Sequence, residues 1–317
     1  MVKRPLKVGL HLPHQSLLMD GETPHWSDIL AIARRAEQVG FDSLWLVDHL
    51  LSPRGAPIWR GGAPTPMDAE QRGCWECWTT LSALAAAVPR VELGTLVLSA
   101  GYRNPALLAR MAETLDEVSG GRVILGIGAG DAEWEHRAFG FAFDHRVGRF
   151  EEAIQIIRGM LREEVSDFDG EYHRIQGALL RPRGPRPFGA PIMIGTLGNG
   201  PRMLRLVAEY ADMWNGWLVH GRSYADSIPP LRSTIDAACE AHGRDPATLA
   251  RSVAIRVSPL GQPTPTGEAI SGEPEAIADA LRAHALAGIH HVQIFPTPMT
   301  LAGVEAFVPV LQSLDAG

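Results

Sequence analysis

The regular pattern of the chain begins with KVGLHL at residues 7–12, continues with SDILAIARRAEQV at 27–39, stops at Gly40 and resumes with SLWLV at 43–47. The first and last of these are short continuous apolar runs of strand length. The middle one carries apolar residues at helical spacing and ends at a glycine, so the stretch reads strand, helix, strand. The same unit recurs to the end of the chain. Helical periodicity returns at 76–87, 105–118, 149–162, 201–210, 224–242, 273–287 and 302–314, alternating with strand-like runs at 91–99, 123–128, 191–194, 213–217, 253–258 and 291–295. Segment 105–118 has Pro105 in its first turn and Leu108, Met111 and Leu115 along one face. Segment 149–162 presents Phe150, Ile154, Ile157 and Leu161 in the same way. Eight strands strictly alternating with eight helices imply parallel strands joined by right-handed crossovers. Without a reversal such units close more naturally into a (β/α)8 TIM barrel than into the alternative, an open doubly wound sheet. Two stretches fall outside the repeat: a Pro/Gly-rich loop at 51–73, and residues 165–189, which contain RPRGPRP at 181–187 and read as an insertion between strands 4 and 5.

Composition agrees with one α/β domain over residues 1–317. The chain is 45% hydrophobic and 21% charged, which is ordinary for a globular protein. Its net charge of −7 comes with scattered basic residues, so nucleic acid and anionic membrane surfaces are not expected partners. No apolar run reaches membrane-span length, and the N-terminus leads directly into a strand without a signal-peptide apolar region, which points to a cytoplasmic protein. Cys74, Cys77 and Cys239 are too few for a disulfide framework. Cys74 and Cys77 form one C-x-x-C, but the flanking sequence offers neither further zinc ligands nor a thioredoxin-like unit, so reduced cysteines near a helix start are expected and no metal site.

In such a barrel, chemistry gathers at the C-terminal ends of the strands. Strand 1 leads to His11 and His14, strand 2 ends in Asp48-His49, strand 3 in Ser99, strand 4 in Gly128-Ala129-Gly130-Asp131, and strand 5 in Gly195-Thr196-Leu197-Gly198. Each is unremarkable alone, and together they converge on one face. The two glycine loops can bring bare backbone N–H groups to a phosphate, although neither is a full dinucleotide fingerprint or a P-loop.

At these residues the chain resembles the luciferase-like family, in particular its branch of oxidoreductases that use the deazaflavin coenzyme F420. The resemblance is carried by Gly40-Phe41-Asp42-Ser43-Leu44-Trp45, Asp48-His49-Leu50, Leu93-Gly94-Thr95, Tyr102-Arg103-Asn104-Pro105-Ala106, Gly120-Gly121-Arg122, Gly126-Ile127-Gly128-Ala129-Gly130, Arg149-Phe150-Glu151-Glu152-Ala153 and Ala211-Asp212-Met213-Trp214-Asn215. It implies a barrel with an insertion, a homodimer formed through barrel helices, and a cofactor at the C-terminal mouth. By position, Asp48 and His49 would lie beside the reactive edge of the ring, with His49 moving the proton and Asp48 fixing its surroundings. The loop of Gly195, Thr196, Leu197 and Gly198 would hold the phosphate, and His11, Gly128 and Gly130 would complete the cofactor site. Ser99-Ala100 would form a bulge with a non-proline cis peptide behind the ring. Asp131 stands where the family often has an aromatic residue and some sugar-phosphate dehydrogenases have Glu, making it a third candidate for proton transfer.

The leading expectation is therefore hydride transfer between F420 and a small organic substrate. The alternative is an FMN-dependent monooxygenase supplied with reduced flavin by a partner reductase, since no motif separates the two cofactors. A non-catalytic flavin-binding protein is a further reading, and a metal-dependent barrel enzyme using Asp48, His49 and His11 lacks the extra carboxylates such sites need. Ile58 and Trp59 after strand 2 and Trp134 after strand 4 suggest a partly apolar substrate pocket.

Overall fold

A computed structural model of the chain describes residues 4–53, 71–165, 167–198, 200–221, 223–264 and 269–316. Eight parallel strands form the barrel: β1 (Lys7–His11), β2 (Ser43–Leu46), β3 (Glu92–Thr95, continued by Leu98–Ser99), β4 (Val123–Gly128), β5 (Ile192–Thr196), β6 (Met213–Trp217), β7 (Ala250–Ser258) and β8 (His291–Pro296). Each pairs with the next, and β8 pairs with β1 through Val8↔Val292 and Leu10↔Ile294. That last pairing closes the ring and excludes the open sheet.

The helices are α1 (Trp26–Val39), α2 (Cys77–Ala87), α3 (Pro105–Ser119), α4 (Glu133–Phe139), α5 (Arg146–Arg162), α6 (Pro201–Tyr210), α7 (Ile228–Ala241), α8 (Pro274–Leu286), α9 (Leu301–Ala306) and α10 (Val308–Ala316). Local sequence sets their ends. α1 buries Ile29, Ile32, Ala33 and Ala36 on one stripe and stops at Gly40, whose φ of 101° is costly for any residue with a Cβ. α3 starts where Asn104 accepts a hydrogen bond from the Leu107 N–H at 3.1 Å, with Pro105 in the first turn.

Three segments differ from the sequence reading. The expected strand 91–99 is interrupted between Thr95 and Leu98. The stretch after β4, to which the periodicity assigns no element, contains α4, a helix too short to show apolar periodicity. The last expected helix is divided at Phe307 into α9 and α10. The insertion at 165–189 holds a small hairpin, Phe168–Asp169 with Arg174–Ile175, and is tied to α3 by Arg183–Glu113 and Arg186–Asp116 ion pairs.

The barrel interior is a packed core, as expected for eight strands. Trp45, Val47, Leu96, Ile124, Met193, Ala254 and Phe295 form one cluster inside it. Trp45 is fully buried and donates from its indole N–H to Ser43 Oγ at 2.6 Å. Its ring fills the space left by two glycines: a Cβ on Gly9 would lie 2.3 Å from it, and one on Gly94 only 2.1 Å. Gly94→Ala should therefore overpack the barrel floor and lower stability by at least about 2 kcal/mol. Urea unfolding of the variant reads this directly, and an unchanged midpoint would mean that Trp45 can move aside.

Candidate active site

The C-terminal mouth opens into a cavity of about 370 Å³. His49, Asp48 and Val47 line it from β2, Leu96 to Ser99 from β3, Gly128 to Asp131 from β4, Gly195 to Gly198 from β5, and Asn215 and Trp217 from β6. Most of the residues expected from the sequence thus meet in one place: Asp48, His49, Ser99, Gly128, Gly130, Asp131, Gly195, Thr196, Leu197 and Gly198 all face the cavity.

His49 is held from behind. Its Nδ1 lies 3.0 Å from Glu135 Oε2, while its ring faces the cavity. Glu135 comes from α4 and has a fully buried side chain. Its Oε1 accepts from the backbone N–H of Leu50 at 3.0 Å and Leu51 at 2.8 Å, and its Oε2 also accepts from the Tyr102 hydroxyl at 2.8 Å. Four donors on one carboxylate satisfy its lone pairs. Burial opposes charge on His49, but the hydrogen bond and charge of Glu135, with Asp131 and Asp48 beyond it, push the imidazole up to about 9. At neutral pH His49 is therefore an imidazolium. The residue expected to move the proton is thus set to donate one. Asp131 faces the same space, its carboxyl raised by burial against the lowering charge of His49.

Asp48 has another task. Its Oδ2 accepts from the Ser99 N–H at 2.9 Å and from Arg103 Nη1 at 2.7 Å, and its Oδ1 accepts from Arg103 Nη2 at 2.9 Å. Arg103 bridges on to Glu76, the residue that caps α2. A buried carboxylate occupied this fully by protein donors ties β2 to β3 and fixes the residue beside it, in keeping with a structural part for Asp48.

The structure corrects four expectations. The non-proline cis peptide is Leu96–Val97, not Ser99–Ala100. Ser99 instead sits in regular parallel register with Gly128, its N–H committed to Asp48, so the irregular backbone falls three residues earlier. Ala100 is buried but does not line the cavity. His11 does not line it either: its ring stacks on Phe295 with centroids 4.1 Å apart, and burial holds it well below the ordinary histidine value. Trp134 lies on α4 outside the cavity lining, while Ile58 and Trp59 lie outside the described residues. His14 is structural, its ring nitrogens 3.2 Å from the Leu12 carbonyl and 2.9 Å from the Val47 carbonyl. All three cysteines are free, and burial raises Cys74 to about 12 and Cys77 well above the ordinary thiol value, so both are unreactive thiols.

The sequence reading gave no site role to Tyr102, Arg146, Met203 and Trp217, which line the cavity, or to Glu135, which backs it. Arg146 opens α5, lines the cavity and donates to the Gly130 carbonyl at 2.6 Å. Among the described residues no helix is long and apolar enough to cross a membrane.

The chain belongs to the luciferase-like monooxygenase family, whose sequence model matches residues 6–263. It is 34% identical over 291 residues to the phthiodiolone/phenolphthiodiolone dimycocerosates ketoreductase of Mycobacterium kansasii, across 88% of this chain and 76% of that one. It is 35% identical over 191 residues to the F420-dependent glucose-6-phosphate dehydrogenase of Amycolatopsis mediterranei, across 58% of this chain and 50% of that one. The chain thus spans between half and about three quarters of the length of these relatives. Its fold matches that of an F420-dependent secondary alcohol dehydrogenase bound to an F420-acetone adduct, with a TM-score of 0.75 over 98% of this chain and 99% of that one at 19% identity.

Proposed function

We propose that this chain is an F420-dependent oxidoreductase that moves hydride between the coenzyme and a small carbonyl or alcohol substrate. The observation that carries the reading is His49, an imidazolium facing a cavity that two glycine-bearing strand ends line and that a buried carboxylate backs. The relatives named for F420 and the ketoreductase support the same choice of chemistry.

The site suits a flat ring carrying a phosphorylated chain. The Val97 side chain packs against Gly128 and Gly195, where an added Cβ would lie 3.0 and 3.1 Å from it, so the wall behind the ring is close and apolar. Around a Cβ built on Gly198 there is no atom within 4 Å, and this glycine faces the cavity just before α6, whose first turn lacks a side-chain cap. Bare backbone donors at the start of a helix favour an anion. Gly195, Thr196, Leu197 and Gly198 would hold the phosphate, with the Arg146 guanidinium at the rim.

Bound F420 supplies the carbon that carries hydride. The protein supplies the rest. His49 holds a proton where a carbonyl oxygen gains charge as it becomes an alcohol, and in the opposite direction the neutral imidazole takes the hydroxyl proton. Asp48 and Arg103 lock the β2 and β3 ends, and Leu96, Val97 and Trp217 exclude water. The family resemblance further supports a homodimer acting on a small molecule.

An absorbance titration of the purified protein with F420 and with FMN tests the cofactor. F420 should bind with at least tenfold preference, and tighter FMN binding would move the chain to the flavin monooxygenases. Gly198→Val should weaken F420 binding by about tenfold or more, the loss of one charge-assisted hydrogen bond, and leave thermal unfolding unchanged. Unaltered affinity in the folded variant would place the phosphate elsewhere.

A further inference from the structure

A second group of polar atoms lies toward the C-terminal ends of β6 and β7, away from His49, with Trp217 in the cavity lining and Arg256 outside it. Arg256 on β7 is the register partner of Phe295 on β8, and Phe295 lies inside the barrel. Ala254, two residues earlier on the same strand, belongs to the same interior cluster. Side chains at this spacing share a face, so the Arg256 guanidinium leaves β7 toward the interior at its C-terminal end.

There it has no carboxylate. Among the described residues no ion pair or side-chain hydrogen bond involves the Arg256 guanidinium, and its Nε is buried without a partner. Burial accordingly lowers its basicity to about 10. On the adjoining strand Trp217 lines the cavity, and its indole Nε1 is likewise buried without a partner. Both groups are donors only: indole has one N–H and guanidinium five, and neither has an acceptor. The aromatic neighbours Phe295 and His11 supply no anion, and His11 is held neutral by burial, by His14 and by Arg256 itself. A largely buried cation and an unsatisfied donor on the adjoining strand, both next to Phe295, lower stability unless something rich in acceptors completes them.

We propose that Arg256 and Trp217 form an oxyanion subsite that seats a carboxylate or phosphate group of the substrate, on the opposite side of the mouth from the His49 proton. This rests on the hydride-transfer reading, because it orients a substrate whose reacting carbon faces His49. It limits the substrate class to carbonyl or alcohol compounds that carry an acidic group, and the planar guanidinium fork suits either oxyacid.

The test is run on coenzyme-free protein and again with F420 saturating, which fills the coenzyme phosphate site at Gly195 to Gly198, so that only a response kept with F420 bound counts for the subsite. Thermal unfolding is followed against inorganic phosphate and against benzoate at constant ionic strength, with chloride as the balancing salt. The wild-type protein should show a saturable rise in Tm with at least one of the two, and whichever acts identifies the oxyacid. Arg256→Met should weaken that response ten- to a hundredfold, the range for a lost charged hydrogen bond, while unfolding at the same or a higher temperature in chloride. Trp217→Phe, which keeps the ring and removes the N–H, should weaken it less. F420 affinity of Arg256→Met, measured separately by absorbance, should equal that of the wild type. A wild-type protein with no saturable response, or an Arg256→Met protein that keeps it, overturns the proposal. Loss of F420 affinity in Arg256→Met would assign the subsite to the coenzyme and overturn it as a substrate site. Failure of the wild type to bind F420 at all would end the hydride-transfer reading and leave the anion measurement standing as a separate result.

Discussion

His49→Ala should slow the chemical step by about 100-fold to 10,000-fold, the usual contribution of a positioned proton donor or acceptor, with the protein saturated in coenzyme and substrate. The expectation follows from geometry and charge together. Among the described residues His49 is the one imidazole that lines the cavity, and its Nδ1 is occupied by Glu135, so its other nitrogen is the one available to a substrate. A carbonyl oxygen that receives hydride at its carbon becomes an alkoxide unless a proton arrives with it. An imidazolium with a value of about 9 meets that need at neutral pH, whereas water does so poorly. Asp131 is the competitor, since its raised carboxyl faces the same cavity. Single-turnover stopped flow, following the coenzyme absorbance, separates the two. A loss below about tenfold in His49→Ala would end the claim for His49, and a large loss in Asp131→Asn with His49 intact would transfer the role. If His49 only packed against the ring, its removal would weaken F420 binding and leave the rate at saturation unchanged.

The barrel was legible because its information is local and repeated. The runs at 7–12, 123–128 and 213–217 are strands buried within the barrel wall, and Gly40 marks a helix stop that the backbone confirms at φ 101°. The strand-end rule likewise placed Asp48, His49, Asp131 and both glycine loops around one cavity. What stayed hidden depends on contacts across the chain. Glu135 lies 86 residues from His49 in a Glu-Trp-Glu-His stretch that looks solvent-facing, and only the packing of α4 against the ends of β2 and β3 buries it. A carboxylate four residues beyond Asp131 was the available signal, at the spacing of one helix turn, and spacing alone does not say which face is buried. The irregular backbone at Leu96–Val97 was placed three residues late, because the motif gives the bulge and the register with Gly128 gives its position. His11 was misassigned for the opposite reason: strand-end position brings a residue to the mouth, but stacking on Phe295 turns its ring into the core.

Glu135→Gln should lower the titration of His49 from about 9 toward its ordinary value of 6.5, because the hydrogen bond and charge of Glu135 are the largest influences raising it, and burial then opposes only the charges of Asp131 and Asp48. The substitution keeps volume and hydrogen bonding. The carbonyl oxygen of the new amide can still accept from Leu50 and Leu51, and its NH2 can donate to Nδ1 of a neutral imidazole whose proton has moved to the other nitrogen. The fold should therefore survive while the charge on His49 is lost. The sign of the pH effect is fixed by the direction of that shift. In the wild type the favourable His49–Glu135 interaction is present in full below pH 6.5 and is lost as pH rises through about 9. Carbonyl reduction, which needs the imidazolium, should then hold its rate to about pH 9 in the wild type and lose it near pH 6.5 in the variant. At pH 8 a histidine titrating near 9 is roughly 90% protonated and one near 6.5 roughly 3%, so reduction should fall about 30-fold at that pH and far less at pH 5.5. Alcohol oxidation, which needs the neutral imidazole, should shift the other way and gain at pH 7. NMR titration of the His49 ring in the coenzyme-free protein reads the shift without any substrate. A merely structural Glu135 would lower the rate equally at every pH and leave the His49 titration where it stands, and that pattern would remove Glu135 from the proton path.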